Sequence, residues 1–277
     1  MIGCHINSDI STLIEEVINV YNNGGKVIQL FTNIGNKKAI NVYKKLNIIL
    51  KEKNMICIVH ASYTINCAQN WTFHSWWIKQ FIIEIEHASL IGASCIVIHM
   101  GKELDLTSAE SINNMYTSLL FIHEQTKEHS NIKILLETST GQGSEMCYKL
   151  DKLAYFYKKL SNNKNKIVRE RFGICVDTCH IFEAGYDIRG TNHIKTYIKK
   201  FDDLIGIKNI KLIHLNDSKK EIGLKVDRHA NIGEGYIGED SLIYFALYFY
   251  KKNIPIILET PHDKIIDDMK KILYKMK

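Results

Sequence analysis

FGICVDTCHIFEAGYD, residues 172–187, joins two signals in one short stretch. Phe172, Ile174 and Val176 belong to a short, continuous apolar run, the way a strand buried on both faces of a parallel sheet reads. The run ends on Asp177, and His180 follows three residues later with Cys175 and Cys179 beside it. Taken alone, this end fits a nucleophilic Cys/His/Asp site, a thiol metal site or one part of a larger ligand set.

The same pattern recurs along the chain. Short apolar runs stand at MIGCHI (1–6), KVIQLF (26–31), MICIVH (55–60), CIVIHM (95–100), KILLET (133–138), IKLIHL (210–215) and IPIILE (254–259). Helical periodicity fills the gaps. SDISTLIEEVINVYNNGG opens with a Ser/Asp cap and closes at paired glycines. WTFHSWWIKQFIIEIEHASLIGA, TSAESINNMYTSLLFIHEQTKEH and SLIYFALYFYKK are further helices. KLSNNKNKIVRER (159–171), the most basic polar segment, reads as an exposed helix end and loop. Eight strand–helix units without a linker predict an α/β fold, a single (β/α)8 TIM barrel over residues 1–277 with its active site at the C-terminal mouth of the strands. An open doubly wound sheet is the structural alternative.

Composition sets limits on function. A net charge of +6 suits a polyanionic partner, although Lys on exposed helix faces explains it equally well. Seven scattered cysteines argue against a disulfide framework and for a reducing interior. The N-terminus lacks a signal-peptide layout and no apolar run reaches spanning length. A soluble, intracellular protein without membrane contact is expected.

Six of the eight runs end on a residue type that binds metals: His60, His99, Glu137, Asp177, His214 and Glu259. In a barrel these ends converge. Burying carboxylates and imidazoles together without a counter-charge is costly, and cations supply that charge. Oxygen and nitrogen ligands suit Zn²⁺, Mn²⁺ or Fe²⁺. His180, one turn beyond Asp177, and the Asp227/His229 pair in NDSKKEIGLKVDRHANIGEG extend the set. Nine ligands exceed one tetrahedral ion and suggest a cluster of two or three. The thiol readings lose weight, since Cys175 and Cys179 are four apart and their neighbours are better used as ligands.

These stretches resemble the endonuclease IV family, the metal-dependent apurinic/apyrimidinic endonucleases. The resemblance spans nearly the whole chain: GCHI at the N-terminus, HASY from His60, VIHMG around His99, LLETSTGQGS around Glu137, VDTCHIFEAGYDIR, LIHLNDSK around His214, VDRHANIGEGYIG and LETP around Glu259. It implies three zinc ions per chain, with manganese or iron accepted in part of the site. His60, His99 and Glu137 would hold one. Glu137 would bridge to a second, completed by Asp177, His214 and Glu259. His180, Asp227 and His229 would hold the third. Glu137, Glu259 and Asp177 are the implied catalytic carboxylates. A hydroxide shared by two ions would attack the phosphorus 5′ to an abasic site in double-stranded DNA, leaving a 3′-hydroxyl and a 5′-deoxyribose phosphate. The resemblance implies a monomer with no obligate protein partner.

The family inserts loop side chains into bent DNA beside a flipped nucleotide. Tyr63 matches the aromatic position of its second loop. The first loop departs from the pattern, with Asn36, Lys37 and Lys38 where an Arg flanked by Gln is usual. Ser62 replaces a common Pro, and Thr-Ser-Thr follows Glu137 where Asn-Thr-Ala is usual. Tyr63, Asn36, Lys37, Gln142 and Arg228 are the candidate DNA contacts. The competing function is a metal-dependent TIM-barrel sugar isomerase or epimerase, which needs fewer ligands.

Other features read more plainly. IGEGYIG carries G-x-G-x-x-G but follows a loop, so it fails as a dinucleotide fingerprint; it either approaches phosphate or makes a turn. The Trp71, Trp76 and Trp77 cluster is expected to pack beneath a helix. His5, at the end of the first strand, stands where it can support a ligand. Asn216 and Gln142 are candidates to orient ligands or phosphate.

Overall fold

The structure is a computed structural model and describes residues 1–276. Each apolar run forms a strand: β1 (Ile2–His5), β2 (Val27–Phe31), β3 (Ile56–His60), β4 (Cys95–Ile98), β5 (Lys133–Glu137), β6 (Phe172–Asp177), β7 (Ile210–His214) and β10 (Ile256–Leu258). All pair in parallel, and β1 joins both β2 and β10. The sheet therefore closes as a barrel, which excludes the open doubly wound alternative. Two further strands, β8 (Asp217–Ser218) and β9 (His229–Ala230), form a small antiparallel ladder in the loop after β7.

The helices are α1 (Leu13–Asn22), α2 (Ala39–Glu52), α3 (Trp76–Ile91), α4 (Ser108–Gln125), α5 (Leu150–Ser161), α6 (Lys166–Arg171), α7 (Thr178–Glu183), α8 (Gly190–Leu204), α9 (Glu239–Tyr250) and α10 (Ile265–Lys275). Each long helix turns one apolar stripe to the strands. Leu13, Val17 and Val20 do so in α1, and Ile265, Met269 and Ile272 in α10. α4 starts at a full capping box between Thr107 and Glu110.

Three local expectations need correction or refinement. Ser8 and Asp9 do not cap α1. Asp9 accepts from the backbone and hydroxyl of Ser11, and the Ser8 hydroxyl accepts from Phe31 N–H, so the helix starts later, at Leu13. The segment 159–171 is not all exposed: Arg171 is fully buried, its guanidinium donating to the His129 carbonyl and the Thr126 hydroxyl. The tryptophans divide. Trp77 is buried and Trp71 packs on Phe121, while Trp76 stays exposed.

The core has two parts. The larger lies between strands and helices. The smaller is Val27, Ile58, Cys95, Val97, Leu135, Cys175, Leu212 and Ile257, with at least one residue from each of β2 to β7 and β10. Strand side chains alternate, so the residue two positions on points the same way. Two steps beyond Val27, Ile58, Val97, Leu135, Cys175, Leu212 and Ile257 stand Gln29, His60, His99, Glu137, Asp177, His214 and Glu259. The apolar plug thus carries a polar layer on its C-terminal side.

β1 contributes Gly3 below His5, and a Cβ on Gly3 would fall 1.5 Å from the Val27 carbonyl oxygen. The β1–β2 seam closes only because that atom is missing. Gly3→Ala is expected to cost about 3 kcal/mol or more through overpacking. Urea unfolding should show it as a lower midpoint with an unchanged slope.

Candidate metal centre

Strand ends position most of the polar residues. His60, Glu137, Asp177 and His214 terminate β3, β5, β6 and β7, while His99 and Glu259 follow β4 and β10 by one residue. Asp177 also caps α7. Its Oδ1 accepts from His180 N–H at 2.8 Å, which turns the next helical step over the mouth and brings the His180 ring beside the strand ends. β9 delivers His229, with Asp227 two residues before it.

Among the described residues five groups have their potential ligand atoms within 4.8 Å of one another; two of them include Cys175 or Cys179, and three use only imidazoles and carboxylates: His60, His99 and Glu137; Glu137, Asp177, His214 and Glu259; and His180, Asp227 and His229. Glu137 belongs to the first two. Its Oε2 lies 3.3 Å from both His60 Nε2 and His99 Nε2, and its Oε1 lies 2.7 Å from His214 Nδ1. Glu259 Oε2 lies 3.1 Å from the same His214 nitrogen. Asp227 reaches His180 Nε2 and His229 Nε2, both at 3.2 Å, and Asp177 Oδ2 stands 3.7 Å from His229.

Backbone carbonyls fix how the rings face. His60 Nδ1 donates to Ala61 O at 2.8 Å, His180 Nδ1 to Thr138 O at 2.7 Å and His229 Nδ1 to Glu259 O at 3.2 Å. A carbonyl only accepts, so each ring carries a hydrogen on Nδ1 and offers Nε2 to the centre. Yet His180 Nε2 and His229 Nε2 are buried without a hydrogen bond. The Asp227 oxygens are close but out of line with the ring nitrogens. Such atoms aim at a shared point between carboxylate and imidazole, which is what a cation site requires.

Among the described residues, no Lys or Arg pairs with Glu137, Asp177, Asp227 or Glu259; every partner is a histidine. Electrostatics follows. Burial opposes the charged form of His229, but Asp177 and Asp227 outweigh it and raise its pKa to about 9. Burial dominates at His99 and lowers it to about 4. Burial pushes Glu137 and Glu259 up, but His214 and the other rings overcome this and hold both well below the usual carboxylate range. Asp177 goes the other way, since its burial outweighs His180 and His229. Without cations, protons on imidazoles balance this centre. The donor set of oxygen and nitrogen atoms fits zinc or a similar divalent ion.

Supporting contacts were only partly foreseen. Asn216 bridges two of the carboxylate residues: its Nδ2 donates to Asp177 Oδ2 at 2.6 Å and its Oδ1 accepts from Glu259 N–H at 2.8 Å. Thr138, first of the unusual Thr-Ser-Thr, takes Asp177 N–H on its hydroxyl at 2.9 Å. Gln29 is buried too, and its only trace in the sequence is a lone amide inside the apolar run KVIQLF. His5 is buried beside it, its Nδ1 3.0 Å from Gln29 Nε2 and 3.6 Å from Glu259. All seven cysteines are free and buried, and burial pushes the Cys175 thiol up to about 12, away from the thiolate a nucleophile needs.

The candidate DNA contacts lie in the loops. Tyr63 is 65% exposed, its ring edge-on to Phe31 and 5.1–5.3 Å from His60 and His99. Asn36 and Lys37 are exposed just before α2. Gln142 Oε1 accepts from Asp227 N–H at 3.0 Å, and exposed Arg228 donates to the Asp227 carbonyl. The glycine loop is a turn, not a phosphate cradle. The Asp217 carboxylate accepts from the N–H groups of Gly233, Gly235, Ile237 and Gly238. A Cβ on Gly235 would stand 2.3 Å from the Ser218 carbonyl oxygen.

Known proteins share the fold and much of the sequence. A family model described as a xylose isomerase-like TIM barrel matches residues 20–276. A putative endonuclease 4 of Acanthamoeba polyphaga mimivirus is 37% identical over 257 residues, covering 88% of this chain and 80% of that one. A probable endonuclease 4 of Staphylococcus aureus (strain JH9) is 32% identical, covering all of this chain and 93% of its own. The crystal structure of endonuclease IV from Thermus thermophilus superposes with a TM-score of 0.78 at 21% identity over 99% of both chains. A D-tagatose 3-epimerase-like protein shares the fold at a TM-score of 0.71 and 18% identity, over 99% of this chain and 98% of its own. The chain belongs to the endonuclease IV family of xylose isomerase-like TIM barrels.

Proposed function

We propose that the chain is a DNA-repair endonuclease that hydrolyses the phosphodiester bond 5′ to abasic sites in duplex DNA. Nine histidines and carboxylates converging in three neighbouring groups, two of which share Glu137, carry this reading. His60, His99 and Glu137 would hold one zinc ion; Glu137, Asp177, His214 and Glu259 a second; His180, Asp227 and His229 a third. When bound, such ions supply a nucleophile at neutral pH and stabilise charge building on the phosphate. Glu137, Glu259 and Asp177 set the spacing of that charge, and Asn216 and Thr138 hold Asp177 and Glu259 in place. No covalent enzyme intermediate is needed.

Loop side chains take the DNA. Tyr63 stands at the rim as a platform for the bases beside an extruded nucleotide, which costs least where a base is already missing. Asn36, Lys37 and Arg228 face solvent and meet phosphates. Gln142 holds the Asp227 loop in its binding geometry. The described residues contain no helix long and apolar enough to cross a membrane. One barrel acting as a monomer inside the cell suffices for this chemistry.

Three measurements test the reading. On a duplex bearing one tetrahydrofuran abasic analogue, incision should fall on the 5′ side and leave a 3′-hydroxyl. His229→Ala and Glu259→Ala should each lower the rate at least about 100-fold, beyond what loss of a supporting contact costs. No incision by protein holding three zinc equivalents would instead favour a sugar epimerase. Stripping the ions with a chelator should lower the melting temperature by about 10 °C, since ligands bound far above their dissociation constants add about 4 kcal/mol. Finally, Arg228→Ala and Lys37→Ala should each reduce the slope of log affinity against log salt by about 0.9, leaving the cleavage position unchanged.

A further inference from the structure

Gln29 is fully buried beneath the mouth, and each polar atom of its amide is engaged. Nε2 lies 2.6 Å from Glu259 Oε1 and 3.0 Å from His5 Nδ1; Oε1 lies 2.8 Å from His214 Nε2. Chemistry decides which way this amide points. An ionised carboxylate only accepts, so the amide NH₂ faces Glu259 and the carbonyl faces His214. A carbonyl also only accepts, so His214 carries a hydrogen on Nε2. Its Nδ1, which donates to Glu137 Oε1 while no cation is bound, is then the atom a divalent ion can take in place of that proton. That atom lies 2.7 Å from Glu137 Oε1, 3.1 Å from Glu259 Oε2 and 3.9 Å from Asp177 Oδ2.

His60, His180 and His229 reach the opposite arrangement by donating Nδ1–H to backbone carbonyls. His214 uses a side-chain amide from a strand far away in sequence. We propose that Gln29 is a positioning residue for the metal centre: it locks His214 in the Nε2–H tautomer and, through Glu259 Oε1, turns Glu259 Oε2 toward the same ion site. One side chain on β2 therefore aims two ligands, one at the end of β7 and one just past β10. The role rests on the three-ion reading above.

Gln29→Met tests it. Methionine has similar length and volume but cannot make these hydrogen bonds, so a packing role tolerates it. Wild-type and variant proteins are loaded with zinc, equilibrated with a competing chelator and assayed for bound zinc. Wild type should hold three equivalents. The variant should keep its circular dichroism and lose one equivalent, its affinity for that ion falling about 10–100-fold. In ¹⁵N-histidine spectra of zinc-loaded wild type, His214 should carry its hydrogen on Nε2. Wild-type zinc affinity in the variant, or a hydrogen on His214 Nδ1, overturns the proposal. If the variant does not fold, the wild-type spectrum decides alone. Wild type that holds fewer ions while keeping the Nε2–H form overturns the three-ion reading and leaves the Gln29 assignment standing.

Discussion

Four carboxylates share the mouth of this barrel and, among the described residues, only histidines pair with them. Like charges so close, with Glu137 and Asp177 fully buried, repel strongly unless something positive sits between them. Histidine provides it provisionally, as a proton that a divalent ion can displace. Much else in the structure serves this arrangement: strand ends that converge, loops that return to the mouth, and carbonyls that tell each ring which nitrogen to present.

The loop after β7 illustrates how the support is built. Asp227 and His229 are useful only if a long polar segment comes back to the barrel at one place. Asp217 gathers the N–H groups of the glycine turn beyond them. Glu183, buried on α7, takes the Ser218 hydroxyl and Val226 N–H. Gln142 takes Asp227 N–H from the loop after β5. The loop's own Asp217, with Glu183 and Gln142 from separate parts of the fold, thus holds it at its two ends and its middle, which compensates for its lack of a core of its own.

The barrel is shared with epimerase-like proteins, so it does not by itself decide the chemistry. The chemistry is set instead by the residue types at the strand ends and by the loops that add to them. Below them lies an apolar plug that any such barrel needs. Above it, the second residue of each inward-facing pair is free to carry function, because the strand repeat places it at the mouth without disturbing the plug.

Much of this was legible in the sequence. Eight short β-branched runs between amphipathic helices specify the barrel, since continuous apolar strands demand cover on both faces. The strand-end positions of His60, His99, Glu137, Asp177, His214 and Glu259 also follow from local pattern, because a strand's side-chain period is regular. Contacts made across the barrel were not legible. Gln29 pairs with residues 185 and 230 positions away, and Asp217 with glycines whose role no periodicity reveals. The start of α1 moved because Asp9 found a nearer partner in Ser11, and Arg171 went inside because Thr126 and His129 offered acceptors. Chain-local patterns fix what each segment becomes. Which nitrogen a histidine offers, and which carboxylate it meets, is set by hydrogen bonds between strands that only the closed barrel brings together.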